Sequence, residues 1–231
     1  MRADPIRIFV GYDPRVEVTL HVLAGSILRR SSLPIAITPI SLQHLKSFFD
    51  RERDPKQSTD FSFSRFLTPF LAGFRGWALY MDCDMIVLDD IANLWRLRDP
   101  TYALMCVQHD QTPRESTKFL GEAQLPYARK NWSSLMLMNC EACTALTPDY
   151  VARASGLELH QFKWLDDSLI GALPARWNHL VDYDPPRDLE DISLLHYTIG
   201  GPYLKNYQAC GYADEWREEC RRTMFSVESM R

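Results

Sequence analysis

"GWALYMDCDMIVLDDI", residues 76–91, is the stretch that decides how this chain is read. An apolar run climbs from Trp77 to Met81 and meets Asp82 and Asp84, one residue apart. A second apolar run, Met85 to Leu88, follows, and Asp89 and Asp90 close the stretch. Residues two apart in a strand face the same side, so Asp82 and Asp84 project together. Two ionised carboxylates at the end of a buried strand repel each other and lose hydration unless a cation or donors compensate. A hard divalent ion with oxygen ligands, Mn²⁺ or Mg²⁺, suits them. The plainer alternative is a turn or a helix cap, which describes Asp89 and Asp90 well. In open α/β sheets ligands gather at the carboxyl ends of strands, where Asp82 and Asp84 are expected.

Working outward, "IRIFVGYD" reads as a first strand. In "RVEVTLHVLAGSILRRS", Val18, Val22, Leu23, Ile27 and Leu28 recur at helical spacing. "IAITPI" then reads as a second strand, completing a strand–helix–strand unit typical of parallel α/β sheets. "FSFSRFLTPFLAGF" reads as helical despite Pro69, "DDIANLWRLRD" as a short helix, and "TYALMCV", "SSLMLMN" and "ISLLHYTIGGPY" as further strands. "FKWLDDSLIGALPARWN" reads as a short helix with a turn. Asp50–Asp60 and His109–Asn131 read as polar loops, the first mobile, both placed to close over a ligand. A mixed-charge helix is expected at about 213–228, and the whole span 1–231 reads as a single domain.

The chain has 231 residues, 46% of them hydrophobic, and a net charge of −4, which argues against a nucleic-acid surface. No apolar run reaches the roughly 18 residues of a membrane helix, although a peripheral membrane contact stays open. The start is too polar for a signal peptide, so a cytoplasmic protein is expected. Cys140 and Cys143 form one C-x-x-C without a second ligand pair, which favours reduced thiols over zinc or redox chemistry.

Other residues qualify by their chemistry. His196 ends an apolar run, either as a core histidine or as an imidazole completing a carboxylate-rich metal site. Gly200 and Gly201 suggest a turn whose N–H groups hold a phosphate. Arg65, in apolar surroundings, needs an anionic partner from protein or ligand. Asp166 and Asp167 read as a helix-start pair or as functional carboxylates. Tyr12 and Asp13 suit base stacking and a base or ribose contact, or else a simple Asp-Pro turn.

Five segments in order resemble glycosyltransferase family eight: "SRFLTPFLAG", "GWALYMDCDMIVLDDI", "NWSSLMLMNC", "WLDDSLIGALPARWN" and "LLHYTIGGPY". The likeness runs from the first strand to Tyr203 and is that of a divergent, bacterial-type member. It implies a GT-A (nucleotide-diphospho-sugar transferase) fold: a Rossmann-like, mixed, mostly parallel central sheet flanked by helices. It implies a retaining hexosyltransferase, moving a sugar from a nucleotide-sugar donor, UDP-sugar foremost, to a saccharide or other hydroxyl acceptor. By position, Asp82, Asp84 and His196 would hold the metal. Arg65 would reach the donor, and Asp166, with Asp167 beside it, would face the donor sugar. Tyr12, Asp13, Ser133, Ser134, Gly200 and Gly201 would line the donor pocket. The family's late lysine before proline is missing here, and Lys205 substitutes only by a different geometry. Ser133 and Ser134 stand where the family has a small-residue and glycine turn, and Asp167 where it has glutamine. Two rival readings are a non-catalytic nucleotide-sugar or carbohydrate-binding protein and a sugar-nucleotidyltransferase. The single glycine of "GYDPRVEV" speaks against the latter.

Overall fold

The computed structural model describes residues 4–54, 57–110, 117–118, 122–123 and 129–224. Among the described residues eleven strands run in chain order: β1 Ile6–Gly11, β2 Ile35–Ile40, β3 Trp77–Met81, β4 Met85–Val87, β5 Leu104–Cys106, β6 Thr117–Lys118, β7 Glu122–Ala123, β8 Leu135–Asn139, β9 Ile170–Ala172, β10 His179–Leu180 and β11 Leu194–His196. The α-helices among the described residues are α1 Glu17–Arg30, α2 Leu42–Leu45, α3 Phe61–Ser64, α4 Thr68–Leu71, α5 Ile91–Arg96, α6 Pro148–Arg153, α7 Gly156–His160 and α8 Ala213–Met224.

The main sheet has the order β2-β1-β3-β8-β5-β9. Its β2/β1, β1/β3 and β5/β9 pairs are parallel, and β8 runs antiparallel to both β3 and β5. The fold is thus the mixed, mostly parallel α/β sheet that the sequence predicts. A smaller sheet, β10-β11-β4, stands beside it. β3 is central, and its side chains alternate between two cores. Leu79 and Met81 pack with Ile6, Ile8, Val10, Leu23 and Ile27 of β1 and α1. Ala78 and Tyr80 pack with Phe66, Met136 and Met138 on the other face. Full burial of side chains this size stabilises by about 1.5–3 kcal/mol each.

Local chemistry explains the helix ends. Asp90 caps α5, accepting from the Ala92 N–H at 2.9 Å, and its second anchor is the Ser32 N–H at 3.0 Å. α8 is tied to α1 by the buried Glu219, which pairs with Arg29 and Arg30. Burial alone would push Glu219 up, but the two guanidiniums hold its carboxyl below the ordinary range.

Some expectations are corrected. The stretch around Pro69 is not one helix: α3, a 3₁₀ turn at Arg65–Leu67 and α4 follow one another, with Pro69 in the first turn of α4, where it needs no donor. "WLDDSLIGA" contributes the edge strand β9 after a 3₁₀ turn, where a helix was expected. The end of the Asp50–Asp60 loop is packed rather than loose, with Gln57, Ser58 and Thr59 buried. Most of the His109–Asn131 connection, and the tail after Met224, lie outside the described residues.

Candidate metal and donor site

Asp82, Cys83 and Asp84 occupy the crossing from β3 of the main sheet to β4 of the smaller one. This explains why a buried strand runs into two carboxylates: the chain changes sheets there, and backbone pairing continues around it. The Asp82 N–H donates to the Ser134 carbonyl at 2.9 Å, and the Tyr197 N–H donates to the Asp84 carbonyl at 2.9 Å. β11 runs antiparallel to β4 with His196 opposite Met85, which brings the imidazole to Asp84. Asp82, Asp84 and His196 are all buried, and one ligand atom from each lies within 4.8 Å of the others. Cys83 points the other way, into the core with Met81 and Met85.

Each carboxylate has a different environment. Tyr80 Oη donates to Asp82 Oδ1 at 2.8 Å, and Arg65 Nη1 lies 3.1 Å from the same oxygen. Arg65 Nη1 also donates to the Ser133 carbonyl at 3.0 Å. Burial raises the Asp82 carboxyl above its ordinary range, Arg65 opposes this, and the Asp84 charge adds to the rise. Asp84 lacks such support. Its Oδ1 is buried without a hydrogen-bond partner, 3.3 Å from His196 Nε2, which is equally without one.

The proton on His196 can be placed by following the chain of donors. The Asn131 carbonyl can only accept, so the Ser134 hydroxyl donates to it at 2.6 Å. That uses the hydroxyl's one proton, so Asn178 presents its amide N–H to Ser134 Oγ at 2.9 Å. The Asn178 carbonyl oxygen therefore faces His196 Nδ1 at 3.0 Å and accepts from it. In the neutral ring Nε2 is left with a bare lone pair aimed at a carboxylate oxygen. Two such buried atoms coexist at this distance only with something positive between them, a second ring proton or a cation. Two ligands at right angles on a Mg²⁺-sized ion stand about 3 Å apart, so a divalent ion fits the donor set.

The other expected residues separate into groups. Arg65, Ser133 and Ser134 join the triad, but their polar groups already serve the protein: Ser133 Oγ meets His160 Nδ1 at 2.8 Å. Asp13 is buried and its carboxylate is filled by four donors, the Arg15 N–H, Nε and Nη2 and the Asp60 N–H. These donors hold its carboxyl below the ordinary range against the effect of burial. Tyr12, half-buried, packs against the core beside it. Gly200 is buried at φ +153°, and a Cβ there would come 2.7 Å from the Tyr207 ring; one on Gly201 would come 2.5 Å from Tyr203. Lys205 is exposed at the start of a 3₁₀ turn. Asp166 and Asp167 are exposed and make no bond to the triad. Asp166 caps the turn through the Ser168 N–H at 2.9 Å, and Asp167 pairs with Arg129 at 2.5 Å.

Three residues at this site are not among those to which the sequence reading assigns a role. Tyr80 and Asn178 look like ordinary core residues until the fold sets them on Asp82 and His196. Tyr203 buries a hydroxyl that has no partner, and Asp84 is foremost among the charges acting on it.

The fold is that of the GT-A glycosyltransferases. The chain superposes on the bifunctional glycosyltransferase WbbM with TM-score 0.65 at 13% identity, covering 99% of this chain and 52% of that one. For the glycosyltransferase GlyE of Streptococcus pneumoniae TIGR4 the values are 0.63, 15%, 93% and 60%. For the galactosyltransferase LgtC, solved with donor and acceptor sugar analogs, they are 0.53, 12%, 93% and 95%. The chain thus spans about half of WbbM and three-fifths of GlyE. No family model matches the chain. It is 47% identical over 225 residues to Protein CDI of Arabidopsis thaliana, covering 93% of this chain and 86% of the relative. The chain belongs to the family of Protein CDI. Among the described residues no helix is long and apolar enough to cross a membrane.

Proposed function

We propose that this protein is a Mn²⁺- or Mg²⁺-dependent glycosyltransferase of the hexosyltransferase class. It moves a sugar from a nucleotide-sugar donor, UDP-sugar foremost, to an acceptor hydroxyl with retention at the anomeric carbon. One observation carries the reading: in a GT-A fold, the bare Asp84 Oδ1 and His196 Nε2 face each other at 3.3 Å, buried, beside Asp82.

Asp82, Asp84 and His196 would hold the ion, and Asn178 keeps the His196 lone pair directed at it. A bound divalent ion supplies Lewis-acid stabilisation of the charge that develops on a leaving diphosphate. Arg65 offsets the charge of Asp82 and fixes its rotamer. The close backbone at Gly200 and Gly201 offers N–H groups to the diphosphate, and Lys205 stands four residues further along the chain. Asp13 stiffens the turn on which Tyr12 stacks a base. Asp166 and Asp167 orient the transferred sugar or its acceptor, with Arg129 setting the position of Asp167. All six cysteines are free, which accords with a reducing compartment such as the cytoplasm.

The test is nucleotide release from UDP-glucose, UDP-galactose and GDP-mannose, with Mn²⁺ and with EDTA. The proposal expects metal-dependent turnover of one donor, reduced by at least about 100-fold in Asp84→Asn. Tight nucleotide-sugar binding without turnover in any acceptor mixture would replace it with a binding role.

A further inference from the structure

A cavity of about 660 Å³ opens where β1 and β3 begin. It is lined by Asp4, Pro5, Arg7, Arg75, Gly76, Trp77, Trp95 and Arg98. Trp77 starts the strand that Asp82 follows, so the cavity is about 17 Å from the triad along β3.

Its chemistry is unlike the rest of the chain. Three guanidiniums converge on it while the protein as a whole carries −4. None of the three forms an ion pair among the described residues, although Asp4 lies in the same wall. Arg7 is fixed by main-chain carbonyls: it donates to Trp77 at 2.8 Å, to Ala72 at 3.1 Å and to Arg75. Arg98 lies over the Trp95 ring at 4.2 Å and donates Nε to the Trp95 carbonyl at 2.7 Å, which leaves its terminal nitrogens unused. The Arg75 guanidinium is exposed and has no hydrogen-bond or ion-pair partner among the described residues. Like charges that converge without a paired acid repel one another, and an oxyanion removes that cost through the fork geometry guanidinium offers. Trp77 and the edge of Trp95, whose face Arg98 covers, add indole surface beside the charges, against which a ring packs. The volume is that of a small-molecule site.

We infer that this cavity binds a small phosphate ester carrying a ring, with Arg75 and Arg98 on the phosphate and Trp77 and Trp95 on the ring. A sugar phosphate and a mononucleotide share that chemistry. The site is separate from the metal triad and needs no metal.

Calorimetry and tryptophan fluorescence on the whole chain, in EDTA so that the triad is not loaded, test this directly. The probes are glucose 6-phosphate, UMP, inorganic phosphate and glucose. Saturable binding of one ester with Kd below about 1 mM is expected. It weakens at least about tenfold in the Arg75→Ala/Arg98→Ala double variant and falls with added salt. The fluorescence change is reduced in Trp95→Phe and in Trp77→Phe. Glucose 6-phosphate binding alone identifies a sugar phosphate; tighter UMP binding identifies a nucleotide. Both arginines are exposed, so the double variant should keep its circular dichroism, and Arg98→Gln alone gives a milder check. Three results would overturn the inference: no saturable binding of either ester, equal affinity in the double variant, or inorganic phosphate binding as tightly as the esters.

Discussion

His196 Nε2 lies 3.3 Å from Asp84 Oδ1, both atoms are buried, and neither has a hydrogen-bond partner. A chain that leaves two acceptors facing each other stores a cost that a cation removes. Under the proposed function the triad is therefore a place where stability and binding oppose each other.

Asp84→Asn should relieve that cost in the metal-free protein. The new amide donates to His196 Nε2 and deletes one of two adjacent carboxylates. Urea unfolding in EDTA at neutral pH is expected to show a gain of about 1 kcal/mol. A loss of that size would mean that His196 is doubly protonated and that the pair is an ordinary ion pair.

Asn178→Ala should act on the metal through His196. Without the Asn178 carbonyl the ring is free to turn and to change tautomer. Mn²⁺ affinity, by calorimetry, should drop about 10–100-fold. Lost stability with unchanged Mn²⁺ affinity would make Asn178 a packing residue only.

Glu219 gives a pH signature remote from the site. Its carboxyl is held below the ordinary range by Arg29 and Arg30. A depressed acid contributes stability above its unfolded pKa, and the contribution is lost as pH falls through the folded value. Glu219→Gln should therefore cost on the order of 1–2 kcal/mol at pH 7, since both arginines are partly exposed to solvent screening. The gap to the unmutated chain should close below the ordinary glutamate range, as read by denaturation at stepped pH. A gap that persists in acid would assign the effect to packing.

The thiols should be quiet. Cys140 donates to the Met138 carbonyl and Cys143 to the Ala103 carbonyl, and burial raises both, Cys140 to about 11. A thiol reagent at pH 8 should label only Cys210 and Cys220 in the native protein, and slowly, since Cys210 is itself raised to about 11. Rapid labelling of Cys140 or Cys143 would reopen a redox role for the C-x-x-C pair.

What could be read from sequence was local. An apolar run broken by two acids reads as a cation site or as a turn, and Asp82, Asp84 and His196 do come together. The β1–α1–β2 unit follows from apolar spacing alone. Features that depend on distant partners were not legible. Asp13 read as a base or ribose contact or as an Asp-Pro turn, and only the fold shows it capping that turn with Arg15 and Asp60 filling its carboxylate. Asn178 became visible only when the smaller sheet set it behind His196, and the "WLDDSLIGA" strand only once β5 offered it an edge. The segment around Pro69 read as one helix because apolar spacing does not reveal a 3₁₀ turn.

The most direct test of the central claim is a thermal-shift titration with UDP, UDP-glucose and GDP, each with Mn²⁺ and with EDTA. The account predicts a rise of a few degrees that needs both nucleotide and metal and is absent in Asp84→Asn. A rise that ignores the metal, or that survives Asp84→Asn, would contradict it.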